Sequence, residues 1–249
     1  MNSFISWIGG KKALRKKILE QFPDSYTRYV EVFGGAAWVL FAEERKTELE
    51  VYNDVNGQLV NLFRCTKYHP EELQKELRFL LMSREMFFDC IEQQDMRGLT
   101  DIQRAARFYT IIKESYGSGM KTFGCCVRKI QDNIMYLTEV SKRLEQVVIE
   151  NRDFEDILKT YDRPGTLFYL DPPYYDAERY YPDRFNPEDH IRLRKALERI
   201  NGKFLMSYND CSEVREMYQD FKLISVQRQN NLAIGKTNSR YKELIIKNY

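Results

Sequence analysis

The stretch Thr166-Leu167-Phe168-Tyr169-Leu170-Asp171-Pro172-Pro173-Tyr174 passes from a β-prone apolar run into an acid, two prolines and a tyrosine. Consecutive prolines fix an extended, rigid backbone and remove two N–H donors. The Pro172 carbonyl is left as an acceptor with no donor at residue 173, the Asp171 carboxylate is a second acceptor, and the Tyr174 ring is a flat surface close by. Two acceptors beside an aromatic face suit a planar group bearing an NH2, such as the exocyclic amine of a nucleobase. The plainer alternative is a strand-to-loop turn with Tyr174 packed on the core. Sites collect at the carboxyl ends of strands in open α/β sheets, which favours function.

Outward from this stretch, other strand-like runs alternate with helical patterns. Tyr29 to Phe33 is β-prone and breaks at Gly34-Gly35, an apolar helical stretch is expected over Ala36 to Phe41, and Leu49 to Tyr52 reads as a second strand ending at Asn53-Asp54. That order argues for a parallel α/β sheet. A helix is expected to follow the amino-terminal Trp7-Ile8-Gly9-Gly10-Lys11-Lys12 and run to about Phe22, where Pro23-Asp24 stops it. From about residue 58 to 146 charged segments of helical period dominate, as in Glu71 to Leu81 and Asp101 to Glu114. Strands return with Val147 to Ile149, Lys203 to Ser207, Lys222 to Val226 and Glu243 to Ile246. The simplest organisation is one α/β domain, residues 1–57 and 147–249, split by a mainly helical insertion, residues 58–146.

The 39 basic and 37 acidic residues of the 249 nearly cancel, so any nucleic-acid surface is a local patch rather than a coat. Five unevenly spaced cysteines, two of them adjacent (Cys125, Cys126), suit neither a disulfide framework nor a zinc knuckle. No apolar run reaches membrane-spanning length and no secretory h-region follows Met1. The chain therefore reads as cytoplasmic and reduced, without a metal or a membrane partner. The loop Val32-Phe33-Gly34-Gly35-Ala36 lets a ligand approach the backbone closely, and a helix behind it would favour anionic or polar groups. It does not match G-x-G-x-x-G, so a nicotinamide dinucleotide is not supported. Asp54 suits a carboxylate on ribose hydroxyls, or equally a helix N-cap.

Taken together, these motifs resemble the Dam-like DNA adenine methyltransferases of phages and bacteria, in order and over nearly the whole chain. Trp7 to Lys11 resembles the family's amino-terminal G-G-K motif, Val32 to Phe41 its cofactor loop, Asn53-Asp54-Val55-Asn56 its N-D-x-N, and Asn151-Arg152-Asp153-Phe154 its N-x-D-F. Asp171 to Tyr174 is similar to its D-P-P-Y motif, Ser207-Tyr208-Asn209-Asp210 to a later strand-end motif, and Glu243 to Tyr249 to its close. The resemblance implies a Rossmann-like class I methyltransferase sheet with an inserted helical target-recognition domain, S-adenosylmethionine as cofactor, and methyl transfer to the N6 amine of an adenine flipped out of duplex DNA. By the same resemblance Asp171 and the Pro172 carbonyl accept from the adenine amine, and Tyr174 stacks on the base with Pro173 and Tyr175 beside it. The cofactor would meet Phe33, Gly34 and Gly35, with Asp54 on its ribose, Asp153 and Phe154 at its adenine, and Lys11, Trp7 and Asp171 toward its methionine end.

Basic residues of the insertion (Arg104, Arg107, Lys113, Lys121, Arg128, Lys129) are candidates for DNA contacts, although charged helix faces are commonly just solvated. Over residues 222–249 six basic side chains, Arg228 and Arg240 among them, stand against Glu243 alone, which fits a phosphate-tracking patch. The loop from Tyr174 to Phe185 holds four tyrosines and two arginines and is a candidate to close over a flipped base. GATC-reading members carry an Arg/Asn-rich hairpin leading to F-N-V-P-F-G; here Tyr116 to Gly124 keeps only Phe123-Gly124, which departs from GATC reading but leaves the methyl-transfer residues untouched. An RNA adenine methyltransferase and a catalytically silent DNA-binding relative are the alternatives. A partner restriction endonuclease, and a monomer or weak dimer, fit the same resemblance. His69 and His190 are expected at surface or helix positions rather than in catalysis.

Overall fold

The computed structural model describes residues 1–42, 44, 47–116, 119–124, 130–176, 185–229 and 240–249. Seven strands form one sheet: β1 (Arg28–Glu31), β2 (Leu49–Asn53), β3 (Val147–Glu150), β4 (Thr166–Leu170), β5 (Lys203–Asn209), β6 (Lys222–Gln229) and β7 (Arg240–Lys247). They lie in the order β3-β2-β1-β4-β5-β7-β6. The first five are mutually parallel, and β7 runs antiparallel between β5 and β6. The chain moves outward from β1 to β2 and β3, then returns to place β4 on the other side of β1. The strand order reverses there, and a crevice opens at the carboxyl ends of β1 and β4.

Helices cover both faces, so the central strands are apolar on both sides; all five residues of β4 are buried. Leu167 and Tyr169 face one core with Tyr52, Leu205 and Ile245; Phe168 and Leu170 face the other with Val51, Phe204 and Met206. The second core is closed by α7 (Phe154–Tyr161), α8 (Pro187–Leu197) and α9 (Ser212–Met217). The first is closed by α1 (Arg15–Leu19), α2 (Gly57–Tyr68), α3 (Pro70–Phe79), α5 (Asp101–Glu114) and α6 (Ile130–Leu144), while α4 (Arg84–Glu92) packs Phe87 and Cys90 on Ile111 in a small satellite cluster. Leu62, Phe63, Ala106 and Leu137 of the helical segment thus share a core with the sheet. The α5 boundary follows from a capping box in which Thr100 and Gln103 satisfy each other's backbone N–H.

Two expected helices differ. The amino-terminal one is the five-residue α1, and its chain then continues in i→i−3 turns (Gln21 to Ile18, Phe22 to Leu19). Residues 36–41 form turns rather than a helix. Ala37 adopts φ 53°, which breaks any helical ladder, and distant groups satisfy the backbone instead. The Glu31 carboxyl accepts from Leu40 N–H (3.0 Å), Arg143 donates to Leu40 O (2.8 Å), and the Met1 amino group donates to Phe41 O (2.7 Å). Hence no helix N-terminus stands behind Gly34-Gly35, and that part of the expected electrostatics is replaced by loop amides.

Candidate active site

An open cleft occupies the crevice. Three loops form one wall, and asparagine amides join them. Asn53 Nδ2 donates to Val32 O (2.9 Å) and Arg152 O (3.0 Å), and its Oδ1 accepts from Arg152 N–H (2.9 Å). Asn151 Nδ2 donates to Asp54 O (2.8 Å) and Val55 O (3.0 Å). The glycine loop lies flat on this frame: Gly34 N–H donates to Asn53 O (2.7 Å), Tyr52 Oη to Gly35 O (2.8 Å), and Gly35 N–H to Asp54 Oδ2 (2.8 Å). A Cβ on Gly34 would stand 2.2 Å from the Tyr52 ring, and Gly35 sits at φ +48°. Neither position accepts a side chain without displacement. Asp54 also accepts from Asn56 N–H (2.9 Å), and Asn56, not Asp54, caps α2.

Further along the wall Phe33, Phe154 and Phe185 pack with centroids 5.6–6.0 Å apart. Asp153 caps α7 through Glu155 N–H (2.9 Å) and pairs with Arg192 (2.7 Å), whose guanidinium lies 4.6 Å from the Phe154 centroid. Trp7, packed on Phe108, and Met120 of the helical segment complete the lining. Glu31 also lines the cleft; burial drives its carboxyl up to about 8 although Tyr29 Oη and Leu40 N–H donate to it.

The opposite wall is charged. Lys11, 5% exposed, places Nζ 2.6 Å from Asp171 and donates to Gly9 O (2.8 Å). Ser207 Oγ donates to Asp171 Oδ1 (2.9 Å) and lies 3.0 Å from Tyr169 Oη. Burial raises the Asp171 carboxyl above the usual carboxylate range, opposed by Lys11 and Ser207 and reinforced by Glu243. Tyr174 Oη donates to Glu243 Oε2 (2.7 Å), its ring stacks on Tyr208 (5.9 Å, 17°), and Lys11 Nζ is 4.8 Å from its centroid. Tyr175 N–H donates to Asn209 Oδ1 (3.0 Å) and its ring lies 5.2 Å from His190. Pro173 borders the cleft and Pro172 is buried.

Trp7, Lys11, Phe33, Gly34, Gly35, Asp54, Asp153, Phe154, Asp171 and Pro173 therefore share one cleft. Glu31, Asn53, Asn151, Ser207 and Glu243 hold or border it, and the sequence reading assigned none of them a role there. The DNA-contact candidates are dispersed. Lys121 is exposed beside Met120, whereas Arg104 pairs with Asp101, Arg107 binds Gln93 and Glu76, and Lys113 binds Asn133. Lys247 is 8% exposed and donates to Gln21, so it belongs to the fold rather than to a phosphate-tracking surface. Arg228 and Arg240 lie on β6 and β7. Arg128, Lys129, Lys236, Cys125, Cys126 and residues 177–184 of the tyrosine-rich loop lie outside the described residues. His190 lies on α8, a helix position as expected, and is fully buried there with a hydrogen bond to Tyr208 Oη; His69 joins α2 to α3 as expected. Among the described residues no helix is long and apolar enough to cross a membrane, and no group of three His, Cys, Asp or Glu could hold a metal.

A glycine loop after β1 and an acid-proline-proline-tyrosine after β4, set across the reversal point of this sheet, define a Rossmann-like methyltransferase. Residues 7–232 match the D12 class N6 adenine-specific DNA methyltransferases, and the chain belongs to that family. Its chemistry is accordingly adenine-specific DNA methylation. It is 26% identical to the type II methyltransferase M1.LlaDCHI of Lactococcus lactis subsp. cremoris, with 100% of this chain and 96% of the relative aligned. Identity to the type II methyltransferase M.CviBI of Paramecium bursaria Chlorella virus NC1A is 23%, covering both chains fully. Among solved structures, an rRNA methylase from Streptococcus thermophilus aligns with TM-score 0.40 and 11% identity over 95% of this chain and 96% of that one.

Proposed function

We propose that the cleft binds S-adenosylmethionine along its amide-framed wall and a flipped-out adenine of duplex DNA against its charged wall. The fit rests on the wall itself. Gly34 and Gly35 present bare backbone to the cleft, where neither accepts a side chain without displacing Tyr52 or Trp7, and the Asp54 carboxylate, oriented by the Gly35 and Asn56 amides, suits ribose hydroxyls. Phe33 and Phe154 form an aromatic surface for a purine beside Asp153. Trp7 and Lys11 lie toward the methionine end, where the indole face and the ammonium suit a sulfonium and a carboxylate. When bound, the cofactor supplies a methyl group on a sulfonium.

The observation that carries the reading is the setting of Asp171, a half-buried carboxylate that Lys11 and Ser207 hold at the carboxyl end of β4. An adenine amine is a weak nucleophile because its lone pair is delocalised into the ring. Asp171 and the Pro172 carbonyl accept hydrogen bonds from its two N–H groups, favour a tetrahedral nitrogen and stabilise the positive charge that develops there. Tyr174 stacks on the base and returns about 1–3 kcal/mol of the flipping cost. Residues 58–146, with Lys121 and Arg128, and the β6–β7 arginines Arg228 and Arg240 are assigned to DNA contacts. Its type II relatives favour a modification role beside a restriction endonuclease.

The test is transfer from labelled S-adenosylmethionine to duplex DNA, with RNA in parallel, followed by nucleoside digestion. N6-methyladenine in DNA is expected, and mapping the modified sites tests the departure from GATC. Label in RNA alone would overturn the substrate assignment.

A further inference from the structure

Two polar side chains stand opposite each other at the carboxyl edge of the sheet, where β5 pairs with β7: Asn209 is in register with Glu243. Alternation along each strand puts both on the face that carries Ser207 and Ile245. Glu243 is 2% exposed and begins the otherwise apolar run Leu244-Ile245-Ile246. An acid is placed on an interior strand at a desolvation cost, and a partner there has to offset it. Both side chains grip the two residues that follow the prolines. Glu243 accepts from Tyr174 Oη at 2.7 Å. Asn209 accepts from Tyr175 N–H at 3.0 Å and donates back to Tyr175 O at 3.2 Å. The Tyr174 phenol is pushed well above its ordinary range by burial and by the neighbouring acids Asp171 and Glu243, so it remains a donor.

We propose that Glu243, with Asn209 opposite it, is a positioning residue for methyl transfer that fixes the Tyr174 ring as the stacking platform for the target adenine. The inference rests on the proposed base-stacking role of Tyr174. The physical reason is rotational. Two prolines fix the backbone up to Tyr174, and Asn209 fixes it just beyond, but neither sets the tilt of the ring. A ring attached only by its own torsions explores a broad two-fold well at χ2. The hydroxyl bond to Glu243 and the face contact with Tyr208 remove that freedom before the base arrives. Orientation set in advance is not lost again at the transition state.

The experiment compares Glu243→Ala, Glu243→Gln, Tyr174→Phe, Tyr174→Ala and the double variant Glu243→Ala/Tyr174→Phe in steady-state transfer from labelled S-adenosylmethionine to a duplex carrying the mapped site. Glu243→Ala and Tyr174→Phe are each expected to lower kcat/KM for DNA about tenfold, the worth of one hydrogen bond to a carboxyl group, with the KM for S-adenosylmethionine unchanged. The double variant is expected to fall no further than the deeper single one, and Glu243→Gln, which keeps an acceptor, to recover most of the loss. Tyr174→Phe deletes the same bond from the other partner, so the comparison survives if Glu243→Ala does not fold. Multiplying losses in the double variant, or an unaffected Tyr174→Phe alongside an impaired Tyr174→Ala, would overturn the positioning role alone. An unaffected Tyr174→Ala would instead overturn the stacking role on which it depends.

Discussion

The two walls of the cleft solve the same problem, presenting polar groups in a crevice, by different means. Along β3-β2-β1 the frame is built of neutral amides that meet one another within the same three loops, Asn53 bridging Val32 and Arg152 and Asn151 bridging Asp54 and Val55, and the Asp54 carboxylate is seated on two more of them. Along β4-β5-β7 the groups are two acids, a serine hydroxyl and a buried lysine, gathered from positions 171, 243, 207 and 11. Amide links are indifferent to pH and tolerate little change in shape. A buried charge network tolerates change in shape better but depends on every charge being balanced. One wall should therefore break sterically and the other electrostatically.

The largest effect is expected on the charged wall. Asp171→Ala removes one of two acceptors for the reacting amine, and transfer should fall by about 10²–10³-fold or more, the worth of a preorganised group aimed at developing charge. S-adenosylmethionine affinity, measured by titration calorimetry, should stay largely intact because the amide wall is unchanged. Full activity in this variant would sink the mechanism. Next is Gly34→Ala on the other wall. Its methyl meets the Tyr52 ring, stacked 4.1 Å from Phe63 and unable to retreat without disturbing the core. Overpacking of this kind costs about 1–3 kcal/mol. Thermal unfolding should register that loss, with cofactor binding weakened along with it. A variant that kept full cofactor affinity would show that the glycine loop is not a close-contact surface.

What could be read from sequence follows the same division. Acid-proline-proline-tyrosine and N-D-x-N are short segments whose chemistry is contained in adjacent residues, so Asp171, Tyr174 and Asp54 could be named as candidates without a fold. Ser207 reaches Asp171 because β5 pairs with β4, and Glu243 reaches Tyr174 because β7 inserts beside β5, pairings that no local pattern encodes. A trace was there in Glu243, an acid opening an apolar strand. His190 is similar: with Leu193 and Leu197 it completes the buried stripe of α8 at i, i+3 and i+7, and that spacing marked it as a core residue. The stretch 36–41 misled for a different reason. Six apolar residues buried all round do not distinguish a helix from turns satisfied by distant groups, and the left-handed Ala37 leaves no mark on composition.

A smaller effect, of pH rather than of rate, separates the two largest influences on Asp171. Burial raises its carboxyl and Lys11 lowers it. Activity that needs the carboxylate falls as pH drops through that titration. Lys11→Met leaves only the Ser207 hydrogen bond against burial, so the acid limb of the kcat profile should move to higher pH, by about one unit or more for an opposite charge this close. A limb that stays in place would mean that Ser207 and the bound substrate, not Lys11, keep Asp171 ionised. The same variant should raise the KM for S-adenosylmethionine if Lys11 also meets its carboxylate.

The smallest expected effect tests whether charge matters at all on the amide wall. Arg192 pairs with Asp153, Glu155 and Asp189, and at first sight is a counterpart of Lys11. Its side chain is 42% exposed where that of Lys11 is 4%. Water already screens its pairs, and exposed ion pairs contribute about 0–1 kcal/mol. Asp153 does not depend on it, because capping of α7 through Glu155 N–H holds the carboxylate in place. What Arg192→Ala deletes is the guanidinium over Phe154, a contact worth roughly 0.5–1 kcal/mol at an exposed site. S-adenosylmethionine affinity should then fall by only about twofold to fivefold, with the pH profile of kcat unmoved. A loss as deep as that of Gly34→Ala would show that this wall, too, relies on a charge, and the contrast between the two sides of the cleft would fail at that point.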